Sequence, residues 1–131
     1  MPQILNLAFD SGTLHALRAA VHAHACQAGM SEDRAVDVVL AVHELAANAV
    51  RHGAGEGRLR IWSLPGELCC EVEDAGAPAR EGHAGADPWP YEDGHGLWVV
   101  RQVSDRMEVV SGPAGTRATV TFKLYPGDIR A

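Results

Sequence analysis

Apolar residues recur along this chain with two periods, and the switches between them outline the elements. Leu5, Leu7 and Phe9 alternate with other residues, which predicts a short strand over Ile4–Asp10. From Leu14 to about Ala28 the apolar positions Leu14, Leu17 and Val21 follow helical spacing. Asp10-Ser11-Gly12-Thr13 supplies capping chemistry before this segment and Gly29 a stop after it. A second helix opens at Ser31, with Glu32 and Asp33 in the first turn where the helix dipole favours acids, and runs to Gly53. Val38, Val39, Val42, Leu45, Ala46, Ala49 and Val50 give it a broad apolar face.

Beyond Gly53 the period changes to two. Arg58–Leu64 and Glu67–Asp74 alternate on either side of a Pro65-Gly66 turn, as an antiparallel hairpin would. Leu68, Cys70, Val72 and Asp74 share the inward face of the second strand; Cys69, Glu71 and Glu73 take the wet one. A Gly-, Pro- and Ala-rich stretch without period follows to Asp93. A loop of that length inside a compact domain is a functional lid or a disordered segment. Leu97–Arg106 returns to helical spacing. Strands are then expected over Met107–Ser111 and Arg117–Leu124, the latter with Ala118, Val120, Phe122 and Leu124 inward and Thr119, Thr121 and Lys123 outward.

At 131 residues the chain fits one domain, with neither an internal repeat nor a linker. A formal net charge of −6 argues against general nucleic-acid binding. No run approaches ~18 apolar residues, and no signal-peptide pattern opens the chain, so neither membrane nor export is expected. The three cysteines, two of them adjacent, suit no disulfide framework and read as reduced, mostly buried thiols of a cytoplasmic protein. His15, His22 and His24 lie on the first helix. Only His15 and His22 share a face and no carboxylate is close in sequence, so surface histidines are expected rather than a metal site.

Three features carry candidate chemistry. Glu44 and Asn48 stand one helical turn apart on a face whose other residues, Leu40, Ala41 and Ala47, include two alanines that would let a ligand approach. A carboxylate there can accept a proton and a carboxamide can hold a hard cation. Asp74 ends an inward strand face, where an acid needs a hydrogen-bonding partner, and Gly76 leaves space beside it. Gly94 and Gly96 open a helix, a place where free backbone N–H groups meet anionic oxygen. Together they suit a nucleoside triphosphate with Mg²⁺. Neither a Walker loop nor a Rossmann glycine triplet is present, Val99 standing where the third glycine would be.

Taken in order, these segments resemble the GHKL ATPase superfamily, and within it the small bacterial anti-sigma-factor serine/threonine kinases. Glu44–Gly53 resembles the N box, Val72–Pro78 the G1 box, Gly94–Val100 the G2 box, and Gly115-Thr116 the terminal Gly-Thr element. The resemblance covers nearly the whole chain. It implies a Bergerat α/β (α+β) two-layer sandwich, with a mixed, mostly antiparallel sheet covered by helices on one face. It implies ATP and Mg²⁺ as ligands. Asp74 would take the adenine amine, with Gly76 beside the ring and Thr116 assisting. Asn48 would ligate Mg²⁺ and Glu44 would be the general base. Gly94, Gly96 and Leu97 would cover the phosphates, and a lid would span about residues 79–93, where Arg80 is the only Lys or Arg. The implied partners are a sigma factor and its anti-sigma-factor antagonist, with a homodimer compatible. A nucleotide-controlled binding module without phosphoryl transfer is the alternative. A detached histidine-kinase catalytic domain is disfavoured, because no dimerisation helix with a phospho-acceptor precedes the boxes.

Overall fold

The computed structural model describes residues 4–74, 96–113 and 115–124. Their elements run β1 (Ile4–Asp10), α1 (Leu14–Gln27), α2 (Glu32–His52), β2 (Glu56–Leu64), β3 (Glu67–Asp74), α3 (Gly96–Val103), β4 (Arg106–Gly112) and β5 (Gly115–Lys123). The strands form one five-stranded sheet in the order β1-β2-β3-β5-β4, and all four pairings are antiparallel. The helices lie on one face, as an α+β sandwich requires.

The sheet side of the core is built by alternation. Leu59 and Ile61 of β2, Leu68, Cys70 and Val72 of β3, and Ala118, Val120 and Phe122 of β5 are all fully buried. They meet Val38, Val42, Leu45, Ala46 and Ala49 of α2 in one cluster. α2 is the central helix: it touches β2, β3 and β5, and both α1 and α3 pack against it. Ser31 caps it by accepting a hydrogen bond from the Arg34 amide at 3.3 Å. The stop after α1 is the expected one, since Gly29 adopts φ of 98°, which a side chain would oppose.

Arg34 clamps the start of α2 to the far end of the sheet. Its guanidinium donates to the Val103 carbonyl (3.2 Å) and to Asp105 Oδ2 (3.0 Å), pairs with Asp37 at 3.5 Å, and lies 5.4 Å from the centroid of the Phe122 ring. Arg34→Ala is expected to lower unfolding stability by about 2–3 kcal/mol in urea denaturation, because it strips several partners at once. Arg34→Lys should recover little, since an ammonium cannot span the same fork.

Four local expectations are corrected. The last helix ends at Val103 rather than Arg106. Ser104 Oγ turns back to the Val100 carbonyl at 2.7 Å, and the Asp105 amide is already bonded to Thr121 of β5. His24 is buried rather than a surface histidine, and burial lowers its pKa below the ordinary 6.5. Cys69 and Thr121 are buried although they face away from the helices. They are cross-strand partners, with Trp62 paired to Cys69 on the other side, so neighbouring side chains cover them. Burial pushes both the Cys69 and Cys70 thiols up. Finally, the side chains of Asp10 and Thr13 brace the turn before α1 instead of capping it: Gly12 N–H donates to Asp10 Oδ1 and Asp10 N–H to Thr13 Oγ1.

Candidate nucleotide site

The site grows from the last turns of α2. Asn48 is only 4% exposed and Glu44 is half-buried. The sequence pattern placed the pair opposite the apolar face of the helix. α1, α3 and the sheet all pack on α2; on the face of the pair Ala41 is fully buried, whereas Leu40, one turn before Glu44, stays exposed. Arg51, three residues on and exposed, donates from Nη2 to Asn48 Oδ1 at 2.6 Å. That oxygen is the atom a hard cation would use, so a cation there would need Arg51 to turn outward into solvent. Only the i, i+3 spacing hints at this contact along the chain.

α2 ends against the second feature. Gly53 is buried, and a Cβ on it would overlap the Asp74 carboxylate and lie 2.6 Å from the Ala49 carbonyl oxygen. The end of the helix and the end of β3 thus meet only because Gly53 has no side chain. Asp74 is 2% exposed, on the inward face as its parity required. Its cross-strand partner on β5 is Thr116, 7% exposed. Thr116 Oγ1 lies 2.9 Å from Ser111 Oγ of β4, a contact sequence reasoning missed because it depends on strand register. Asp74 and Thr116, 42 positions apart, therefore stand side by side, as the expected adenine site needs.

The third feature is described in part. Gly96 opens α3, and Leu97 is 2% exposed in the core. The Leu97 side chain anchors the helix, which leaves the backbone of this first turn as the group able to meet an anion. Val103 at the other end of α3 is tied to Arg34 near the start of α2. α3 packs against α2, the helix that carries Glu44 and Asn48. Gly76, Gly94 and the expected lid at about 79–93, with Trp89 and Tyr91, lie outside the described residues. Trp98 is exposed on α3.

A cleft of about 540 Å³ opens beside Asp74, walled by Phe9, Asp10, Thr13, Gly57, Arg58 and Glu73 among others. None of Glu44, Asn48 and Leu97 lines it. It borders the constellation and does not coincide with it.

The residues present fit a purine nucleotide with a hard cation. A buried carboxylate can accept from an exocyclic amine, and a hydroxyl stands at its side. A buried carboxamide oxygen suits Mg²⁺, and a half-buried carboxylate, Glu44, sits one turn from it.

A family profile described as a histidine kinase-like ATPase domain matches residues 7–122. A search of curated proteins gives no significant match. Among solved structures, the chain is similar to the RsbU and RsbW domains of Rv1364c from Mycobacterium tuberculosis, with a TM-score of 0.71 and 21% identity over 98% of this chain and 35% of that one. It is also similar to the histidine kinase domain of the blue-light activated histidine kinase EL346 from Erythrobacter litoralis (TM-score 0.59, 22% identity, 86% of this chain and 60% of that one). A third likeness is to the histidine kinase AdeS of Acinetobacter baumannii (TM-score 0.53, 16% identity, 93% and 68%). At these identities the structures report the fold. The chain spans about a third of the mycobacterial chain and three fifths of the Erythrobacter one. With a profile match over most of its length and this fold, the chain belongs to the histidine kinase-like ATPase domain family of the GHKL superfamily, whose members bind ATP.

Proposed function

We propose that this protein is an ATP-binding regulator that holds a sigma factor and phosphorylates a serine or threonine on a small antagonist protein. The observation that carries ATP binding is the pairing of buried Asp74 and Thr116 across β3 and β5, against a glycine at the end of the helix that bears Glu44 and Asn48. In this reading residues 1–131 are one ATPase domain with its lid at about 79–93, working in the cytoplasm. No helix among the described residues is long and apolar enough to cross a membrane.

Asp74 would accept a hydrogen bond from the adenine amine, with Gly76 leaving room for the ring and Thr116 donating beside it. Asn48 would contribute its carboxamide oxygen to Mg²⁺. Gly94, Gly96 and the Leu97 amide would face the phosphates at the start of α3. Bound ATP supplies the phosphoryl group. Glu44 would take the proton of the incoming hydroxyl, for which a half-buried carboxylate with no hydrogen bond or ion pair among the described residues is available. The sigma-factor and antagonist partners follow from the sequence resemblance; the likeness to a structure containing an RsbW domain supports a regulatory role.

One contact favours a second reading, in which nucleotide controls a protein interface without phosphoryl transfer. Arg51, the basic side chain next to the expected metal position, is committed to Asn48. Phosphoryl transfer ordinarily draws on cationic help for the developing charge. Incubation with labelled ATP, Mg²⁺ and antagonist proteins encoded nearby separates the two. The kinase reading expects Glu44→Gln to lower transfer by about 10²-fold or more while ATP affinity is kept. Nucleotide-dependent partner binding by the wild type without any transfer would establish the binding module instead.

A further inference from the structure

The corner between α1 and α2 gathers three side chains that the nucleotide site does not use. His22 and Cys26 stand one turn apart on α1. The chain then reverses through Gly29, and Glu32, the first residue of α2, comes back over them. His22 Nε2 lies 2.8 Å from Glu32 Oε2, and Cys26 Sγ lies 3.8 Å from His22 Nε2. The three potential ligand atoms are all within 4.8 Å of one another.

Those separations are close to what a tetrahedral ion needs. With metal–nitrogen and metal–oxygen bonds of about 2.0–2.1 Å and a metal–sulfur bond of about 2.3 Å, ligand atoms sit roughly 3.4–3.6 Å apart. The sulfur–nitrogen separation is nearly there, but Sγ also lies 3.9 Å from Nδ1, so the ring must turn to aim Nε2 at the ion, and the sulfur–oxygen pair, within 4.8 Å, must draw closer. The nitrogen–oxygen separation must open by about 0.6 Å as an ion replaces the shared proton. The Glu32 side chain is 67% exposed and can move that far.

We propose that His22, Cys26 and Glu32 form a zinc site, with water as the fourth ligand. Thiolate, imidazole and carboxylate together suit a borderline-soft cation. They do not suit Mg²⁺, which takes oxygen ligands in octahedral array, so this site and the one expected at Asn48 select different metals. A zinc ion here ties the end of α1 to the start of α2. Metal binding then stabilises the fold by mass action.

The test uses the full chain, stripped with a chelator and free of nucleotide, titrated with Co²⁺ and then Zn²⁺. One equivalent of Co²⁺ should produce the visible bands of a four-coordinate ion and a thiolate-to-cobalt charge-transfer band. Zn²⁺ should displace it, and a large excess of Mg²⁺ should not. Cys26→Ser should remove the charge-transfer band. The other two thiols, Cys69 and Cys70, are buried and pushed up, so they cannot substitute. His22→Ala and Glu32→Ala should each weaken Zn²⁺ binding by about tenfold or more. The Zn²⁺-induced rise in melting temperature should vanish in all three variants, read against each variant's own metal-free melt so that a change in fold is not mistaken for loss of the ion. The proposal is overturned if the wild type gives no charge-transfer band, if the band survives Cys26→Ser, or if the His22 and Glu32 variants bind Zn²⁺ as the wild type does.

Discussion

Asp74→Asn is expected to weaken ATP binding by roughly a hundredfold, about 3 kcal/mol, in a calorimetric titration. The substitution keeps the shape of the side chain and removes its charge. A carboxylate buried to 2% exposure offers two acceptor oxygens, whereas an amide in the same place can turn its own NH₂ toward the adenine amine, donor against donor. The loss should be specific to the base: a nucleotide lacking the exocyclic amine should bind the wild type poorly and the variant no worse. Thr116 remains in register beside position 74, so the sheet end should stay folded, which far-ultraviolet circular dichroism checks. Unchanged ATP affinity in a folded variant would mean that the base does not sit on Asp74.

The second large effect is expected at Gly53. Gly53→Ala places a methyl group on top of the Asp74 carboxylate and 2.6 Å from the Ala49 carbonyl oxygen. The carboxylate can be pushed aside; the helix backbone cannot move without disturbing the last turn of α2. A loss of about 2–4 kcal/mol in stability is expected, together with weaker ATP binding, because the residue displaced first is the expected base-binding acid. The effect expected is one of space, since φ at Gly53 is −105° and lies outside the left-handed region. Gly55 is the control. It has φ of 88° with open space around its Cβ position, so Gly55→Ala should cost only about 1–2 kcal/mol and leave ATP affinity alone. Equal effects at the two glycines, or a Gly53→Ala variant with wild-type stability and affinity, would refute the close approach of α2 to Asp74.

Much of the fold was legible because its signals are local. Alternation in Arg58–Leu64 and Glu67–Asp74 around Pro65-Gly66 appears as the β2–β3 hairpin, with Leu64 paired to Glu67. Ser31 and Gly29 bound the helices as their chemistry suggested. Apart from the Asp10–Thr13 turn, whose contacts are local, the errors arose where a neighbour distant in sequence intervenes. The helix from Leu97 stops early because β5 takes the Asp105 amide, and Cys69 and Thr121 are hidden by each other and by Trp62 although they stand on the expected wet face.

The candidate site divides in the same way. The sequence by itself determined which residues could do chemistry: the Glu44–Asn48 turn, an inward Asp74 and a glycine-led helix at Gly96, because period and parity are properties of consecutive residues. Only the tertiary structure decided who stands beside whom. It set Thr116 against Asp74, Gly53 under the Asp74 carboxylate, Arg51 on the oxygen of Asn48, and Glu32 over His22 and Cys26. The histidines of α1 read as ordinary surface groups because no carboxylate is near them in sequence; a six-residue return through Gly29 supplies one. The reason is general: spacing along a helix or strand sets the direction of a side chain, whereas the partner it meets is set by how helix and sheet close around a shared core.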